Sequence, residues 1–390
     1  MSEPSAWRTV SATFHLTHAC NLRCTYCYTR EKHGIGMTQA TAQRAVEFVH
    51  ELASKENARH LEIVFFGGEP LLKHSLLCEI ADQARREAPQ GTRVTFKMST
   101  NGLLASQAVV DSLAARGIFV SLSLDGPPGT QDDQRPDALG RGNSGKMAEI
   151  IPRLLAWNPH TAVNCVVTPQ HAGALDVNIP WIFAQGFSYV STALDWSAPW
   201  TRSELNRLGA AYQRLADWYV RETLRGRRFY LSCFDEKIRS RTRGPLDRAE
   251  RCGPGVHQIS IAPSGRLYPC VQFVKEDDNP AWCIGHVETG LDASRRDSLF
   301  SCTETPREEC DGCDLHARCA SWCACMNWAS HGRLDEASPL VCEHERLLAP
   351  IADRAANCLW KRRDPLFLHK HYNPAFPVLS HLETSLSALP

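Results

Sequence analysis

Ten cysteines fall into two runs of short, fixed spacing, and no other feature of this 390-residue chain limits its fold and chemistry as much. Cys20, Cys24 and Cys27 stand as C-x3-C-x2-C. Cys252 and Cys270 flank Gly265, and Cys310, Cys313, Cys319, Cys323 and Cys342 follow. The chain holds 17 cysteines in all, an odd number that internal disulfides cannot use up. Its start lacks a basic stretch followed by an apolar core, and no apolar run is long enough to cross a bilayer. A cytoplasmic protein is therefore expected. There structural disulfides are rare, and clustered cysteines usually ligate metal. Lysine plus arginine equals aspartate plus glutamate at 43 each, which argues against nucleic acid or an acidic membrane as partner.

Strand-like runs recur at residues 13–17, 61–66, 94–99, 118–124, 162–168 and 189–194. Between them lie helical patterns. One is capped by Thr38 and runs to about residue 54, and others cover roughly 72–88, 107–116, 145–157 and 178–185. Six buried-type strands, each followed by a helix or loop, imply parallel βα units with right-handed crossovers. Six are too few for a closed eight-stranded barrel, so the expected fold is α/β, a partial (β/α)6 TIM-like barrel over residues 1–200. A helical connector is expected over 201–251. Residues 252–345 are rich in cysteine, glycine and proline with little periodicity, the texture of a small domain stapled by metal. A C-terminal helix and tail fill 346–390. In such barrels the chemistry sits at the carboxyl ends of the strands. The first cysteine run, Gly67-Gly68 and Asp125-Gly126 all fall there. A hairpin around residues 263–266 is expected to bring Cys252 and Cys270 toward each other.

Three thiolates on one tight loop can hold three irons of a four-iron cluster and leave the fourth open. A zinc knuckle is the alternative; it needs a fourth ligand, for which His18 and His33 stand nearby. C-x3-C-x2-C after a first strand, with the aromatic Tyr26 before the third cysteine, resembles the radical S-adenosylmethionine superfamily. The resemblance implies that S-adenosylmethionine chelates the open iron and is cleaved by one electron to a 5′-deoxyadenosyl radical that abstracts hydrogen. Gly67-Gly68-Glu69-Pro70 resembles the motif that holds the cofactor's amino group. Two glycines permit close backbone approach, and a carboxylate suits an ammonium. Ser123 resembles a ribose-contacting serine, Asn101 the turn after another barrel strand, and Arg135 an arginine paired with the cofactor carboxylate. The plainer alternatives are a turn residue for Asn101 and a solvated loop charge for Arg135.

The spacing from Cys252 to Cys342 resembles the SPASM domain of radical enzymes that modify peptides. By that resemblance Cys310, Cys313, Cys319 and Cys342 hold an outer auxiliary cluster, and Cys252, Cys270 and Cys323 belong to an inner one. With the first run this makes three [4Fe-4S] clusters. Relatives often carry a further cysteine shortly after the position of Cys252, where this chain has His257 and Gln258. The inner cluster then keeps an open iron, or Cys233, Cys283 or His257 completes it, though each of these reads more simply as an ordinary residue. Cys78, Cys165, Cys302, Cys325 and Cys358 are expected to be packing or surface thiols.

Sulfatase maturases share this layout and carry an aspartate proton acceptor directly after the second SPASM cysteine. Here that residue is Val271, which cannot accept a proton. The expected function is therefore modification of a ribosomally made precursor peptide: hydrogen abstraction followed by a C–C (cyclophane-type) or thioether crosslink. An electron donor such as flavodoxin or ferredoxin is the expected partner. Asp195, at a strand's end, is a candidate acid or base. Trp196, Trp200, Trp322 and Trp328 are candidate peptide contacts, with packing as the default. The alternatives are formylglycine formation and a non-catalytic iron–sulfur electron carrier. The carrier leaves the Gly67–Pro70 turn and the three-cysteine site without a purpose. An enzyme acting on RNA is disfavoured by the balanced charge.

Overall fold

The computed structural model describes residues 9–29, 32, 34–244, 254–255, 258–301, 307–373 and 375. The chain opens with β1 (Thr9–His15), α1 (Gln39–Lys55), β2 (His60–Phe66), α2 (His74–Arg86) and β3 (Arg93–Thr100). It continues with α3 (Gln107–Ala115), β4 (Ile118–Ser123), α4 (Pro128–Gln134), α5 (Ser144–Trp157) and β5 (Ala162–Val167). Then come α6 (Leu175–Ala184), β6 (Tyr189–Leu194), α7 (Arg202–Leu224), β7 (Tyr230–Leu231) and α8 (Ser232–Thr242). Beyond lie β8 (Gln258–Ile261), β9 (Leu267–Tyr268), β10 (Gly285–His286), β11 (Gly290–Leu291) and α9 (Ala293–Phe300). α10 (Ala324–His331), α11 (Pro339–Lys361) and α12 (Pro365–Tyr372) end the described chain. Two compact units emerge. One takes Met1–Val166, Gln185–Phe187 and Arg248–Thr305; the other takes Val167–Ala184, Ser188–Asp247 and Pro306–Pro390.

In the first unit the strands run in the order β5-β4-β3-β2-β1-β8-β9. All are parallel except β9, which turns back on β8. This is the parallel βα sheet of a partial barrel, with α1, α2 and α3 packed on one face. Burial alternates along the strands. Leu61, Ile63 and Phe65 are buried while Glu62, Val64 and Phe66 are half-buried, and β4 repeats the pattern. Each large apolar side chain sealed under the helices contributes about 1.5–3 kcal/mol. The opposite face sets polar side chains beside Val64 and Phe66. Lys97 Nζ donates to Glu62 at 2.6 Å, Ser11 reaches the same carboxylate at 3.5 Å, and Asn164 donates to Ser99 at 3.3 Å. Of the strands read from sequence as buried, β2 and β4 alternate in this way, whereas β1 is buried on consecutive residues from Ala12 to His15.

Three local departures have physical causes. β1 begins four residues before the expected position, because Thr9–Ala12 pair in register with His60–Ile63 although they form no apolar run. The stretch after Asp125, expected as a polar loop, contains α4, whose Pro128 stands at the first helical position. A proline is harmless there, since that N–H would be unpaired anyway. The connector contains α8 in addition to the long helix. The expected hairpin is present as β8–β9, turned by Gly265 at φ +91°, with Cys270 just beyond it.

In the second unit β6 pairs with β7 in parallel, α7 packs on α6 and α11, and α8 packs on α11. Thr201 and Glu204 close a capping box on α7. The buried Asp235 accepts from Tyr219 Oη at 2.6 Å and Leu231 N at 2.7 Å, and lies 2.7 Å from Lys370 Nζ. Burial opposes its charge, but Lys370 and then His371 outweigh burial and hold the carboxyl well below the usual range. A carboxyl depressed in the folded state stabilises above its unfolded pKa, about 4, and loses that contribution as pH falls toward the folded value. Asp235→Asn is expected to cost about 3–5 kcal/mol in urea unfolding at pH 7, because it strands Lys370. The gap from wild type should narrow below about pH 4.

Candidate active site

The loop after β1 carries the first cysteine run, and its backbone meets the loop after β2. Gly68 N donates to Thr17 O at 2.7 Å and Glu69 N to Ala19 O at 2.9 Å. A Cβ at Gly68 would collide with the Ala19 carbonyl, and one at Gly67, whose φ is +128°, would lie 2.5 Å from Thr17 O. These glycines thus let two strand ends touch. Glu69 is fully buried. Its carboxylate accepts from Leu71 N at 3.0 Å, Thr100 Oγ1 at 2.7 Å and Asn101 N at 2.9 Å. Pro70 starts the short 3-10 turn that follows. Asn101 in turn donates to Asn21 Oδ1 at 2.8 Å and points its amide at Cys20 Sγ, 3.9 Å away. So Asn101 reaches past its own turn to the cysteine loop.

On the other side, Arg23 N donates to Pro136 O at 2.7 Å and Thr25 N to Gln134 O at 3.0 Å, strapping the cysteine loop to the segment after α4. Arg135 is 5% exposed, so it is no solvated loop charge. It pairs with Asp125 and directs Nη1 to within 3.9 Å of Cys24 Sγ. Its guanidinium lies 5.2 Å from the Tyr26 ring centroid. Ser123 ends β4 opposite Asn164, two residues before Asp125. Asp125 and Asn21 were not singled out from the sequence as site residues. An aspartate before a glycine reads as a turn, and only burial reveals its partners.

Burial pushes the Cys24 thiol up to about 11 and raises that of Cys20 as well. Without metal both hold their protons at neutral pH, so iron uptake must release them. Cys24 feels the charge of both Cys20 and Cys27, and Lys32 Nζ lies 2.8 Å from Cys27 Sγ. Among the described residues no three Cys, His, Asp or Glu side chains converge on one metal-ion position. His33, the other histidine considered for zinc, lies outside the described residues. Among the described residues, both ring nitrogens of the buried His15 at the end of β1 lack a hydrogen-bond partner, as does the Tyr28 hydroxyl. Buried polar atoms left unpaired beside three thiols on one loop fit a polar group bound at this mouth.

Cys270 is buried in the first unit, and its charge and that of Cys27 reach the Tyr28 hydroxyl. Cys252, His257 and Cys302 lie outside the described residues. In the second unit Cys310 and Cys313 share a turn, Cys313 N donating to Cys310 O at 3.1 Å, and both act on the Cys342 thiol. Cys319 accepts from Ser321 N at 3.3 Å. A hydrogen bond with Cys325 is the main reason that Cys323 is drawn down to about 7. Cys165 is core, as expected. Cys283 donates to Gly285 O at 3.1 Å, and Cys233 is buried. Asp195 accepts from Ser197 Oγ at 2.7 Å and Ser197 N at 3.1 Å, while its carbonyl takes Trp200 Nε1. That carboxylate holds a turn. Trp196 packs edge-on against His344.

Gly68→Ala should push the two strand-end loops apart, costing about 1–3 kcal/mol and most of the iron bound at Cys20, Cys24 and Cys27. Gly145→Ala, whose methyl meets nothing within 4 Å, should leave both unchanged. Thermal unfolding and iron analysis of the two variants check this.

A profile described as Radical SAM superfamily matches residues 14–155. The chain is 26% identical over 341 residues to the serine-type anaerobic sulfatase-maturating enzyme of Klebsiella aerogenes, covering 81% of this chain and 80% of that protein. It is 20% identical over 320 residues to the cysteine-type enzyme of Clostridium perfringens, covering 78% and 85%. Among solved structures, native anSMEcpe with bound AdoMet and Cp18Cys peptide matches with a TM-score of 0.77 at 19% identity, over 90% of this chain and 98% of that one. Streptococcus suis SuiB bound to precursor peptide SuiA matches with 0.58 at 16% identity, over 86% and 76%. At such identities the structural likeness speaks for the fold. The profile match runs from the end of β1 through most of α5 and includes the cysteine loop, Gly67–Pro70, Asn101, Ser123 and Arg135. Residues 14–155 carry the radical SAM domain that this match describes, and the chain is an enzyme.

Proposed function

We propose that the chain modifies a ribosomally made precursor peptide, abstracting hydrogen from a residue and closing a C–C or thioether crosslink. Cys20, Cys24 and Cys27 hold the radical cluster. Gly67–Pro70, Asn101, Ser123 and Arg135 shape the pocket for S-adenosylmethionine. Residues 252–345 form a SPASM domain whose cysteines hold two further [4Fe-4S] clusters. Bound cluster and cofactor together supply a 5′-deoxyadenosyl radical, and the auxiliary clusters supply an electron sink. One hydrogen atom leaves the peptide to that radical; a second leaves as a proton and an electron when the bond closes. Flavodoxin or ferredoxin is the electron donor, in the cytoplasm.

Val271 carries the choice of outcome. The sulfatase maturases that the chain resembles use an aspartate directly after the second SPASM cysteine as proton acceptor, and the valine here cannot serve. The similarity to sulfatase-maturating enzymes favours formylglycine as the second reading, and one observation gives it a route. Glu276 lies close enough that its charge acts on the Tyr28 hydroxyl, alongside Cys27 and Cys270. Glu276 would then replace the missing aspartate.

Coexpression with a small peptide encoded beside this gene, followed by mass spectrometry, separates the readings. A crosslink removes two hydrogens, suppresses fragmentation between the joined residues and gives no reaction with a hydrazide. Oxidation of serine to formylglycine removes the same two hydrogens but leaves a hydrazide-reactive aldehyde. Alanine at 20, 24 and 27 together should reduce cofactor cleavage by at least about 1,000-fold, to background, because no thiolate remains to hold the iron. Dithionite-driven release of 5′-deoxyadenosine measures it.

A further inference from the structure

β4 ends in Ser123, and Leu124 leads into Asp125, whose side chain is wholly enclosed. An enclosed carboxylate persists only if its lone pairs are taken up. Four donors do so here. Oδ2 accepts from Tyr26 Oη at 2.7 Å and Arg135 Nε at 2.7 Å. Oδ1 accepts from Arg135 Nη2 at 3.1 Å and Val166 N at 2.9 Å. Burial keeps the Tyr26 phenol far above its ordinary pKa, so it stays a donor. The carboxylate thus joins three parts of one unit: the cysteine loop through Tyr26, the segment after α4 through Arg135, and β5 through Val166.

The consequence falls on Arg135. A guanidinium presents its five N–H groups in one rigid plane, so fixing two of its nitrogens fixes the direction of the third. Nε and Nη2 are bound to Asp125, and Nη1 is turned toward the cysteine loop, 3.9 Å from Cys24 Sγ. The Tyr26 ring beneath the guanidinium prevents it from tilting away. We propose that Asp125 is a positioning residue that fixes Arg135 so that Nη1 faces the cluster site and takes the carboxylate of an amino-acid cofactor there. This rests on the cofactor reading of the preceding section and adds to it the residue that orients the arginine. Without Asp125 the arginine keeps its charge and loses its direction. An asparagine in its place must present an amide N–H to one of the four donors, so the fork and the phenol cannot both be satisfied.

The experiment uses the full chain, reconstituted with iron and sulfide under anaerobic conditions. Binding of S-adenosylmethionine is read by equilibrium dialysis and by the change that the cofactor causes in the electron paramagnetic resonance spectrum of the reduced cluster. Asp125→Asn and Arg135→Gln should each weaken binding by about tenfold or more and abolish the spectral change, with iron content kept. The double variant should be no worse than the poorer single one, because the two residues act as a unit. Asp132→Asn is the control. Asp132 caps α5 through Ser144 and Asn143 in the same segment without touching Arg135, and this variant should keep the spectral change. If Asp125→Asn takes up no iron, Asp125→Glu decides, since it keeps the charge and moves the fork by one methylene. Loss of the spectral change there supports the proposal, and retention overturns it. Cofactor binding by Asp125→Asn within about threefold of wild type, or tighter, overturns it, as do additive losses in the double variant. A wild-type chain that takes up the iron but shows no cofactor binding would instead sink the cofactor reading itself, and this proposal with it.

Discussion

Two backbones meet at the carboxyl ends of β1 and β2 with no room for a side chain, and the cysteine loop takes its position from that contact. Gly67 and Gly68 supply the room. Once Gly68 and Glu69 have donated to Thr17 and Ala19, the Glu69 side chain is carried into the space beside β3, where Thr100 and Asn101 wait with donors. Asn101 is thereby set against Asn21 and Cys20. One close approach therefore fixes three successive strand ends. A side chain at Gly68 would disturb a thiol through two intermediates without touching it.

The opposite flank of the loop is held by charge. Exposed ion pairs on this chain, such as Arg214 with Asp176, are each worth roughly 0–1 kcal/mol. Asp125 with Arg135 belongs to another class, since both are enclosed and desolvation can cancel their attraction. An apolar pair of the same volume could hold the segment as firmly. A buried ion pair at this place is better explained by direction than by stability: it specifies where a cation points, which an apolar pair cannot do. The hydrogen-bonded brace at Glu69 and the ion pair at Asp125 thus divide the work. The first places the loop and the second supplies it with an oriented charge.

Much of this could be read from the residues. The strand and helix alternation was legible because βα units repeat a simple pattern of periodicity, and the cysteine loop because three thiols at fixed spacing have few other uses. Thr38 as a helix cap and Gly265 as a hairpin turn were legible because each satisfies one local need. What stayed hidden depends on long-range burial. Glu69 reads as a partner for an ammonium, yet its carboxylate is met by Leu71, Thr100 and Asn101. Asp125 reads as a turn residue because its partners stand 99, 10 and 41 positions away. The polar side chains on the second face of the sheet were masked by Val64, Phe65 and Phe66, whose apolar character says nothing about which side each occupies.

The outcome of the chemistry turns on where a proton goes. Both closing a bond and making an aldehyde remove one from the substrate, so either requires an acceptor near the reacting carbon. Asp195 already holds two hydrogen bonds from Ser197 and so serves a turn. The Tyr28 phenol is raised well above its ordinary pKa, first by burial and then by the charges of Cys27, Cys270 and Glu276, so it remains protonated. A tyrosine in that state donates, and it can pass a proton only if it first receives a better offer from a neighbouring carboxylate. The charge of Glu276 reaches it. Val271 stands directly after Cys270, and Glu276, whose charge acts on the Tyr28 hydroxyl, lies five residues later on the same segment. If this carboxylate serves the reaction, the change from aspartate to valine moves the base without deleting it.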